Sequence, residues 1–326
     1  MIEDSSEISV GLQALRMASK LCQNVWKDLA GGRAIQKQDR TPVTVADFGS
    51  QAIICRTIRT AFPEDGFVAE EDSTELRRPD HHQTLGQVVH HVRAFFPKAS
   101  AEEVCSWIDL GTHSVTGRFW TLDPIDGTKG FLRGAQYAIA LALIVNGQVQ
   151  LGLMACPNLP TEIGGGGEER GCFFLGLRGG GAFQIDMGNG RRRPISVSRM
   201  TNPEDGTWVE SVEPDHADHL THLRIAQQLG MSRPPIKMDS QAKYGLVARG
   251  EATLYLRAPS PSEPDYREKI WDHAAGAIIA EEAGGRVTDF HGNPLDFSLG
   301  IRLERNRGVL VSNGVLHERV LEVLRG

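Results

Sequence analysis

Two aspartates, Asp123 and Asp126, lie three positions apart around Pro124, and Gly127-Thr128 follows at once. The residues before them are apolar and indicate a strand, so the proline and the glycine predict a tight turn at its end. Such a turn would aim both carboxylates and a backbone carbonyl at one point. Oxygen ligands of this kind suit a hard cation such as Mg²⁺, which keeps several of its water ligands and also coordinates phosphate oxygens. Since Asp-Pro and Asp-Gly are common turn pairs, the motif alone leaves a metal site and a plain turn equally open.

Two further acidic segments extend this pattern. Residues 70–72 (EED) follow the apolar pair Val68-Ala69, and Asp272 lies in a WDHAAG segment that opens an apolar helix. Together with residues 123–128, they resemble the three-part signature of the lithium-sensitive, magnesium-dependent phosphatases that include inositol monophosphatase. Four longer segments resemble the 3'(2'),5'-bisphosphate nucleotidase branch: 41–51 (TPVTVADFGSQ), 122–143 (LDPIDGTKGFLRGAQYAIALAL), 239–244 (DSQAKY) and 268–276 (EKIWDHAAG). The resemblance runs from about residue 10 to the C-terminus.

The resemblance implies a site for two or three Mg²⁺ ions. Glu70, Asp123 and the backbone carbonyl of Ile125 would hold one ion. Asp123 would bridge to a second, completed by Asp126 and Asp272, and Asp272 would also contact the substrate. Two ions about 3.5–4 Å apart can neutralise phosphate oxygens, align a water and stabilise the leaving oxygen. For Asp272 the alternative is a plain N-cap of the alanine-rich helix behind it.

The resemblance also implies the residues that position water and phosphate. Asp47 and Thr128 would form the catalytic pair, in which the carboxylate orients and polarises the water through the hydroxyl. Asp47 also fits a helix start without any catalytic role. Gly127 and Thr128 would meet the phosphate through backbone N–H groups, as at a helix N-terminus. Glu71 is expected to line the metal pocket without binding an ion directly.

Substrate recognition is expected from the second half of the chain. Ser240, Lys243 and Arg257 resemble the nucleotide-binding positions of the family, and His216 resembles its histidine. His219 is the alternative if the register of that loop differs. Cations at these positions suit a bisphosphate, because each can neutralise an anionic oxygen.

The predicted activity is removal of the 3'- (or 2'-) phosphate from adenosine 3',5'-bisphosphate (PAP), giving AMP, and conversion of the sulfated analogue PAPS to APS. The alternative enzyme is an inositol phosphate phosphatase acting on a monophosphate or a 1,4-bisphosphate. Against it stand the 53 positions from Glu70 to Asp123, a longer interval than the monophosphatases use, and the DSQAKY segment. A third alternative is a silent sensor that binds nucleotide without turnover, although every expected ligand position is intact.

The amino-acid composition and net charge indicate which kinds of partner the protein is expected to bind. The 326 residues are 40% hydrophobic and 23% charged, which is ordinary for a globular protein. A net charge of −6 does not favour binding to long nucleic acid. The acidic N-terminal segment predicts neither a signal nor a transit peptide, and no apolar run predicts a membrane span. Five cysteines without a C-x-x-C pair favour reduced thiols over a disulfide between Cys156 and Cys172. We therefore expect a cytoplasmic monomer whose partner is a small nucleotide bisphosphate.

The elements alternate in type along the chain. Apolar spacing predicts helices over residues 8–30, 47–62, 80–96, 216–229 and 272–283, and strands at 66–69, 208–212 and 308–312. Asn146-Gly147 between two apolar runs predicts a β-hairpin with a type I′ turn. The glycine runs at 164–167 and 179–181 are read as loops, since no Lys-Ser/Thr follows them.

Periodicity alone gives a mixed α and β chain with a change of character after residue 200. We expect an α+β metal-binding domain at 1–200 and an α/β domain at 201–326 that completes the metal site and the nucleotide pocket. The resemblance implies a layered α/β/α/β/α sandwich of the inositol monophosphatase type, with an antiparallel sheet first and a smaller mixed sheet second.

Overall fold

The computed structural model of the chain describes residues 5–30, 41–112, 115, 117–162, 169–212, 219–259 and 265–325. His216 and the glycine run at 164–167 lie outside the described residues, and only the backbone of His219 is described. In the part of the chain that is described, no helix is both long enough and apolar enough to cross a membrane. The five cysteines are free and buried, with Cys156 directly opposite Cys172 across two neighbouring strands.

The first sheet has seven strands that lie side by side in chain order. They are β1 (Gly66–Ala69), β2 (Arg118–Asp126), β3 (Ala138–Val145), β4 (Gln148–Pro160), β5 (Arg170–Leu177), β6 (Gly181–Asp186) and β7 (Arg192–Pro194). All neighbours are antiparallel except β1 and β2, which run parallel. The sheet is therefore antiparallel, as predicted, apart from this one edge, where a largely helical crossover joins β1 to β2, as parallel pairing requires.

The second sheet is smaller and mixed, as predicted. Its five strands are β8 (Trp208–Glu210), β9 (Ile236–Lys237), β10 (Leu254–Arg257), β11 (Arg286–Thr288) and β12 (Val309–Ser312). They lie in the order β11-β12-β10-β8-β9, with β10 parallel to β8 and antiparallel to β12. The β10 strand is therefore central, and its two faces contact different helix layers.

Helices form three layers around the two sheets. Within the described residues they are α1 (Ser6–Ala30), α2 (Thr41–Ala61), α3 (His82–Arg93), α4 (Ala101–Ile108), α5 (Thr128–Leu132), α6 (His219–Gln228), α7 (Ala242–Ala248), α8 (Ala274–Glu282) and α9 (His317–Arg325). α1 and α2 pack on one face of the first sheet, against Trp120 and Leu122 of β2. α7 and α8 lie between the sheets, where Tyr255 joins their core. α6 and α9 cover the outer face of the second sheet, with Leu254 and Leu256.

This layering confirms the α/β/α/β/α sandwich, and alternation along the strands explains it. Leu254 and Leu256 of β10 belong to the outer core, whereas Tyr255 between them belongs to the central one. Successive side chains of a strand point to opposite faces, so one short apolar strand supplies two cores. Because both faces are covered, β10 carries a continuous apolar run rather than a half-polar one.

Helix α8 lies unusually close to the first sheet. A Cβ atom on Gly152 of β4 would lie 2.6 Å from the carbonyl oxygen of Ala275, and one on Gly176 of β5 would lie 2.7 Å from Cα of Ile279. Both distances are too short for real atoms, so these two strand positions accept only glycine while the helix keeps its place. The missing side chains let helix backbone and sheet backbone approach each other directly.

The two sheets fall on either side of residue 200, where the sequence changes character. The central core is nevertheless continuous across them, since Phe174 of β5, Ile278 of α8 and Val311 of β12 belong to one cluster. The proposed division at residue 200 into two domains therefore stays a prediction.

Local predictions fared unevenly. The hairpin at Asn146-Gly147 is confirmed, with φ angles of 50° and 75° and with β3 paired to β4. The predicted helix at 80–96 is shorter, at 82–93, and the sequence reading missed α4. Its start was marked, because Ser100 and Glu103 form a reciprocal capping box.

Candidate active site

A cleft of about 610 Å³ opens beside the ends of β1 and β2 and is lined by residues from both halves of the chain. Within the described residues, every predicted site residue lines it: Asp47, Glu70, Asp123, Ile125, Asp126, Gly127, Thr128, Ser240, Lys243, Arg257 and Asp272. Glu71 lines it too, as the sequence suggested. Segments far apart in sequence thus meet in one place.

The parallel pairing of β1 and β2 brings the first two acids together. Ala69 lies opposite Leu122 at the carboxyl ends of these strands. Glu70 and Asp123 come one residue later on each strand, so they project from neighbouring positions at the same edge. The one parallel pair of an otherwise antiparallel sheet is therefore the feature that juxtaposes these carboxyls.

A bulge in β2 explains how Asp123 and Asp126 both reach the cleft. Residues three apart on a regular strand point to opposite faces. Here Asp123 pairs with Ala140 and Asp126 with Ala138, so β2 contains one more residue than β3 across this interval. The extra residue restores a common direction. The predicted tight turn after the strand is therefore wrong, because the strand continues to Asp126 and Pro124 occupies the bulge.

Asp47 and Asp123 resist ionisation in this cleft. Burial, with Glu71 and Glu70, raises the pKa of Asp47 well above its ordinary value. Burial also raises the pKa of Asp123, and Glu70 and Asp126 raise it further. Each negative charge disfavours the next in a poorly hydrated space. In the absence of cations, these two carboxyl groups therefore retain protons.

The donor set fits a divalent cation. Asp123 Oδ1 is buried and has no hydrogen-bond partner among the described residues, while the carboxyl groups of Asp123 and Glu70 hydrogen-bond to each other. A buried carboxylate oxygen without a partner is costly, and a bound cation removes that cost. With the carbonyl of Ile125 and the carboxylates of Asp126 and Asp272, this is the all-oxygen set that Mg²⁺ prefers.

Asp126 is held by the second half of the chain. The backbone N–H of Gln241 donates to Asp126 Oδ2 at 2.5 Å. The preceding Ser240 has a φ of 67°, a left-handed conformation that is strained for serine and turns the next N–H toward the carboxylate. Gln241 Nε2 also donates to the carbonyl of Trp271 at 2.8 Å, next to Asp272. One residue therefore ties together two of the predicted metal ligands.

Gly127 links the acidic strand to helix α5. Its φ of 88° and its position as N-cap of Thr128–Leu132 require a residue without a side chain, and a Cβ there would lie 3.1 Å from Cβ of Ser240.

Asp47 and Thr128 both line the cleft, but no hydrogen bond described in the structure joins them. Their catalytic pairing stays a prediction.

Asp272 is not the N-cap of α8. It ends a short 3₁₀ turn, Ile270–Asp272, and His273 occupies the N-cap position without a capping side-chain bond. Burial raises the pKa of Asp272, Arg257 lowers it, and Asp126 raises it again. The structural alternative for Asp272 is therefore wrong, because the extra turn moves it out of the helix start and into the cleft.

The second half of the chain brings two cations to the cleft. Lys243 is buried, with Nζ 3.5 Å from the carbonyl oxygen of Met238 and 5.4 Å from the ring centre of Tyr255. Burial lowers the pKa of Lys243 to about 8. Arg257, partly exposed, forms an ion pair with Glu268, with Nε 2.8 Å from Oε1. Neighbouring cations of this kind suit an anionic ligand.

The sequence did not single out several other residues that line the cleft: Lys129, Ser211, Asp239, Gln241 and Tyr255. Asp239 and Gln241 carried a signal, because both belong to the DSQAKY segment. Asp239 accepts a 2.8 Å hydrogen bond from Arg133 and so links α5 to this segment. Nothing local marks Tyr255, which reads as an ordinary strand residue.

An acid-lined cleft flanked by the buried Lys243 and the partly exposed Arg257 is the kind of site that a metal-dependent hydrolase of phosphate esters uses. The chain belongs to the inositol monophosphatase family, whose family model matches residues 3–326. It is 42% identical over 336 residues to the 3'(2'),5'-bisphosphate nucleotidase of Schizosaccharomyces pombe, a match covering 97% of this chain and 94% of the relative. It is also 39% identical over 328 residues to the enzyme of that name from Dictyostelium discoideum, covering 97% and 96%.

Solved structures share the fold. An inositol monophosphatase from Anabaena superposes with a TM-score of 0.63 at 22% identity, covering 97% of this chain and 94% of that one. An inositol monophosphatase from Thermotoga maritima gives 0.63 at 22%, covering 98% and 97%. At this identity the likeness concerns the architecture alone.

Proposed function

We propose that the protein is a Mg²⁺-dependent phosphatase that removes the 3'- (or 2'-) phosphate of PAP to give AMP and converts PAPS to APS. The observation that carries the proposal is the composition of one cleft. The first half of the chain supplies most of its carboxylates, and the second half supplies Lys243 and Arg257. A substrate with two separate anionic groups matches this arrangement better than a monoester does.

In this proposal two or three Mg²⁺ ions are held by Glu70, Asp123, the carbonyl of Ile125, Asp126 and Asp272. Bound there, the ions supply charge neutralisation of the reacting phosphate and acidification of water. The unpaired Oδ1 of Asp123 and the clustered carboxyls support the assignment.

Side chains and backbone groups of the protein are assigned to orienting the water, holding its proton and contacting the phosphate. Asp47, poorly hydrated and beside other acids, accepts a proton more readily than an ordinary aspartate, and Thr128 lies in the same cleft. We assign this pair to orienting the attacking water and holding its proton. Backbone N–H groups from Gly127 onward are assigned to the reacting phosphate. The water oxygen forms the new bond to phosphorus while the bond between phosphorus and the ribose 3'-oxygen breaks. The proton that the water gives up balances the one that the leaving 3'-oxygen takes up, so the products are AMP and inorganic phosphate.

Lys243, Arg257 and Ser240 are assigned to the nucleotide, with His216 as a further ligand. Lys243, with a pKa of about 8, is mostly protonated at neutral pH, and a bound phosphate would favour the charged form further. We also propose that the protein acts as a cytoplasmic monomer, an inference that rests on its free cysteines and its composition.

A substrate panel tests the function directly. Phosphate release from PAP, PAPS, inositol 1-phosphate and inositol 1,4-bisphosphate is compared at saturating Mg²⁺ as kcat/KM. The proposal expects PAP and PAPS to exceed both inositol phosphates. Preference for either inositol phosphate would establish the alternative enzyme instead, and nucleotide binding without phosphate release would indicate a sensor.

A further inference from the structure

A chain of buried polar groups stands behind Arg257. Glu268 places Oε1 2.8 Å from Arg257 Nε and Oε2 3.3 Å from His273 Nε2. The other ring nitrogen of His273 lies 2.7 Å from the hydroxyl of Tyr244. Glu268, His273 and Tyr244 are all buried, and they come from three segments: the stretch before the 3₁₀ turn, the N-cap of α8, and α7.

The protonation state of Glu268 follows from its hydrogen-bond partners. Burial opposes ionisation of Glu268, but Arg257 and His273 together lower its pKa to about 2. Glu268 is therefore a carboxylate that accepts from both neighbours. Glu268 as a carboxylate can only accept, so Nε2 of His273 carries the hydrogen of that contact, and the Tyr244 hydroxyl is the partner of Nδ1.

Glu268, Asp272 and His273 also lie close enough together to suggest metal binding, with ligand atoms within 4.8 Å of one another. The hydrogen-bond pattern argues against that use. Both oxygens of Glu268 are engaged, one by Arg257 and one by His273. The protonated Nε2 of His273 has no lone pair to offer a cation. Of the three, Asp272 alone lines the cleft.

We propose that Glu268 is a positioning residue for Arg257, and that His273 and Tyr244 hold Glu268 in place, so that the guanidinium is preset for the phosphate that does not react. The inference rests on the proposed nucleotidase function. An arginine has five N–H donors, so an ion pair through Nε keeps donors for a second anion. A long side chain that is already fixed loses less entropy when the ligand binds.

The test is a double-mutant cycle with two substrates. Glu268→Gln, Arg257→Met and the double variant are assayed at saturating Mg²⁺ on PAP and on adenosine 3'-phosphate, which lacks the 5'-phosphate. We expect Glu268→Gln to raise the KM for PAP by about tenfold, equivalent to about 1.4 kcal/mol. kcat should change by less than about twofold. The effect should be absent on adenosine 3'-phosphate and absent when Arg257 is already methionine.

Two further variants guard against trivial explanations. Glu268→Gln leaves Arg257 less compensated, which lowers stability as well as loosening the guanidinium. Tyr244→Phe removes only the hydroxyl at the far end of this hydrogen-bonded series, and it should raise the KM for PAP by a smaller factor. Glu281→Gln is the matched control, because Glu281 of α8 forms an ion pair of equal length, 2.8 Å, with Arg178. It should leave both substrates unaffected.

The outcomes separate the two proposals. Suppose that wild-type protein releases phosphate from PAP, but that the increases in KM caused by Glu268→Gln and Arg257→Met multiply in the double variant. The positioning role is then overturned and the nucleotidase function stands. Equal losses on both substrates, or a shifted Mg²⁺ requirement in Glu268→Gln, would likewise overturn it in favour of a metal role. If wild-type protein does not act on PAP, the proposed function fails, and the inference fails with it.

Discussion

Replacing Lys243 by methionine should weaken catalysis and stabilise the fold at the same time. Lys243 is buried, and its pKa falls from an ordinary value of 10.5 to about 8. That difference corresponds to about 3 kcal/mol by which folding disfavours the charged amine at neutral pH. The hydrogen bond from Lys243 Nζ to the carbonyl oxygen of Met238, at 3.5 Å, returns at most about 1 kcal/mol. Lys243→Met should therefore raise the free energy of unfolding by about 2 kcal/mol.

The pH dependence of this gain has a definite sign. Between about pH 8 and 10.5 the unfolded chain binds more protons at Lys243 than the folded chain does, so wild-type stability rises with pH through that window. The advantage of the methionine variant should be complete below pH 8 and should shrink toward pH 10.5. Denaturant unfolding of the metal-free proteins at pH 7 and pH 10 measures it. Lys20→Met, at an exposed site on α1, is the control and should change little.

Kinetics complete the experiment. Loss of a charge-assisted contact to a phosphate should lower kcat/KM on PAP by about 1.5–3 kcal/mol. Activity on adenosine 3'-phosphate should fall much less, because that substrate lacks the second anion. A variant that is less stable than wild type at pH 7 would refute the burial argument. An unchanged ratio of the two kcat/KM values would refute the assignment of Lys243 to the nucleotide.

Three further predictions concern the acidic side of the cleft. Asp123→Asn should lower kcat on PAP by at least about 10²- to 10³-fold. It should raise the melting temperature of the metal-free protein, because an amide avoids the cost of burying a carboxyl group beside other acids; wild-type phosphate release at saturating Mg²⁺ would contradict the metal assignment. Added Ca²⁺ or Li⁺ should inhibit the Mg²⁺-activated enzyme. Ca²⁺ accepts looser coordination geometry and would misplace the attacking water. Initial rates that are insensitive to both ions would argue against the site. Since burial, Glu70 and Asp72 raise the pKa of Glu71 to about 7, the stability of the metal-free protein should fall as pH rises from about 4.5 to 7. Glu71→Gln should flatten this slope in chelator-containing buffer, and an unaltered slope would count against the raised pKa.

The sequence carried most of the candidate site because its residues stand in compact motifs. Asp123, Asp126 and Thr128 lie within six positions, and the DSQAKY segment contains Lys243. Local reasoning failed where geometry depended on a neighbour. The bulge at Pro124 exists only in relation to β3, and no local rule distinguishes it from a turn. The same limit hid the 3₁₀ turn that moves Asp272 out of the helix start.

The fold was predictable to the level of its layers, largely through the family resemblance. Periodicity found the long helices and the hairpin, because those signals repeat over many residues. It did not find the parallel pairing of β1 with β2, since strand direction depends on the path of the intervening 48 residues. Nor could it find the partnership of Arg257 with Glu268, eleven positions apart. That contact is created by the meeting of a strand end with the segment before α8.

The close seat of α8 on the first sheet bears on how the molecule moves. Gly152 and Gly176 bring helix backbone against strand backbone, and the opposite side of the same helix layer packs on the second sheet. Where backbone packs on backbone, no side chain can change rotamer to accommodate sliding. A hinge or shear motion between α8 and the first sheet would therefore open voids in a close-packed interior. We therefore expect the two sheets to move as one rigid frame. On that expectation, substrate entry and product release depend on the segments at the rim of the cleft rather than on closure of one half over the other.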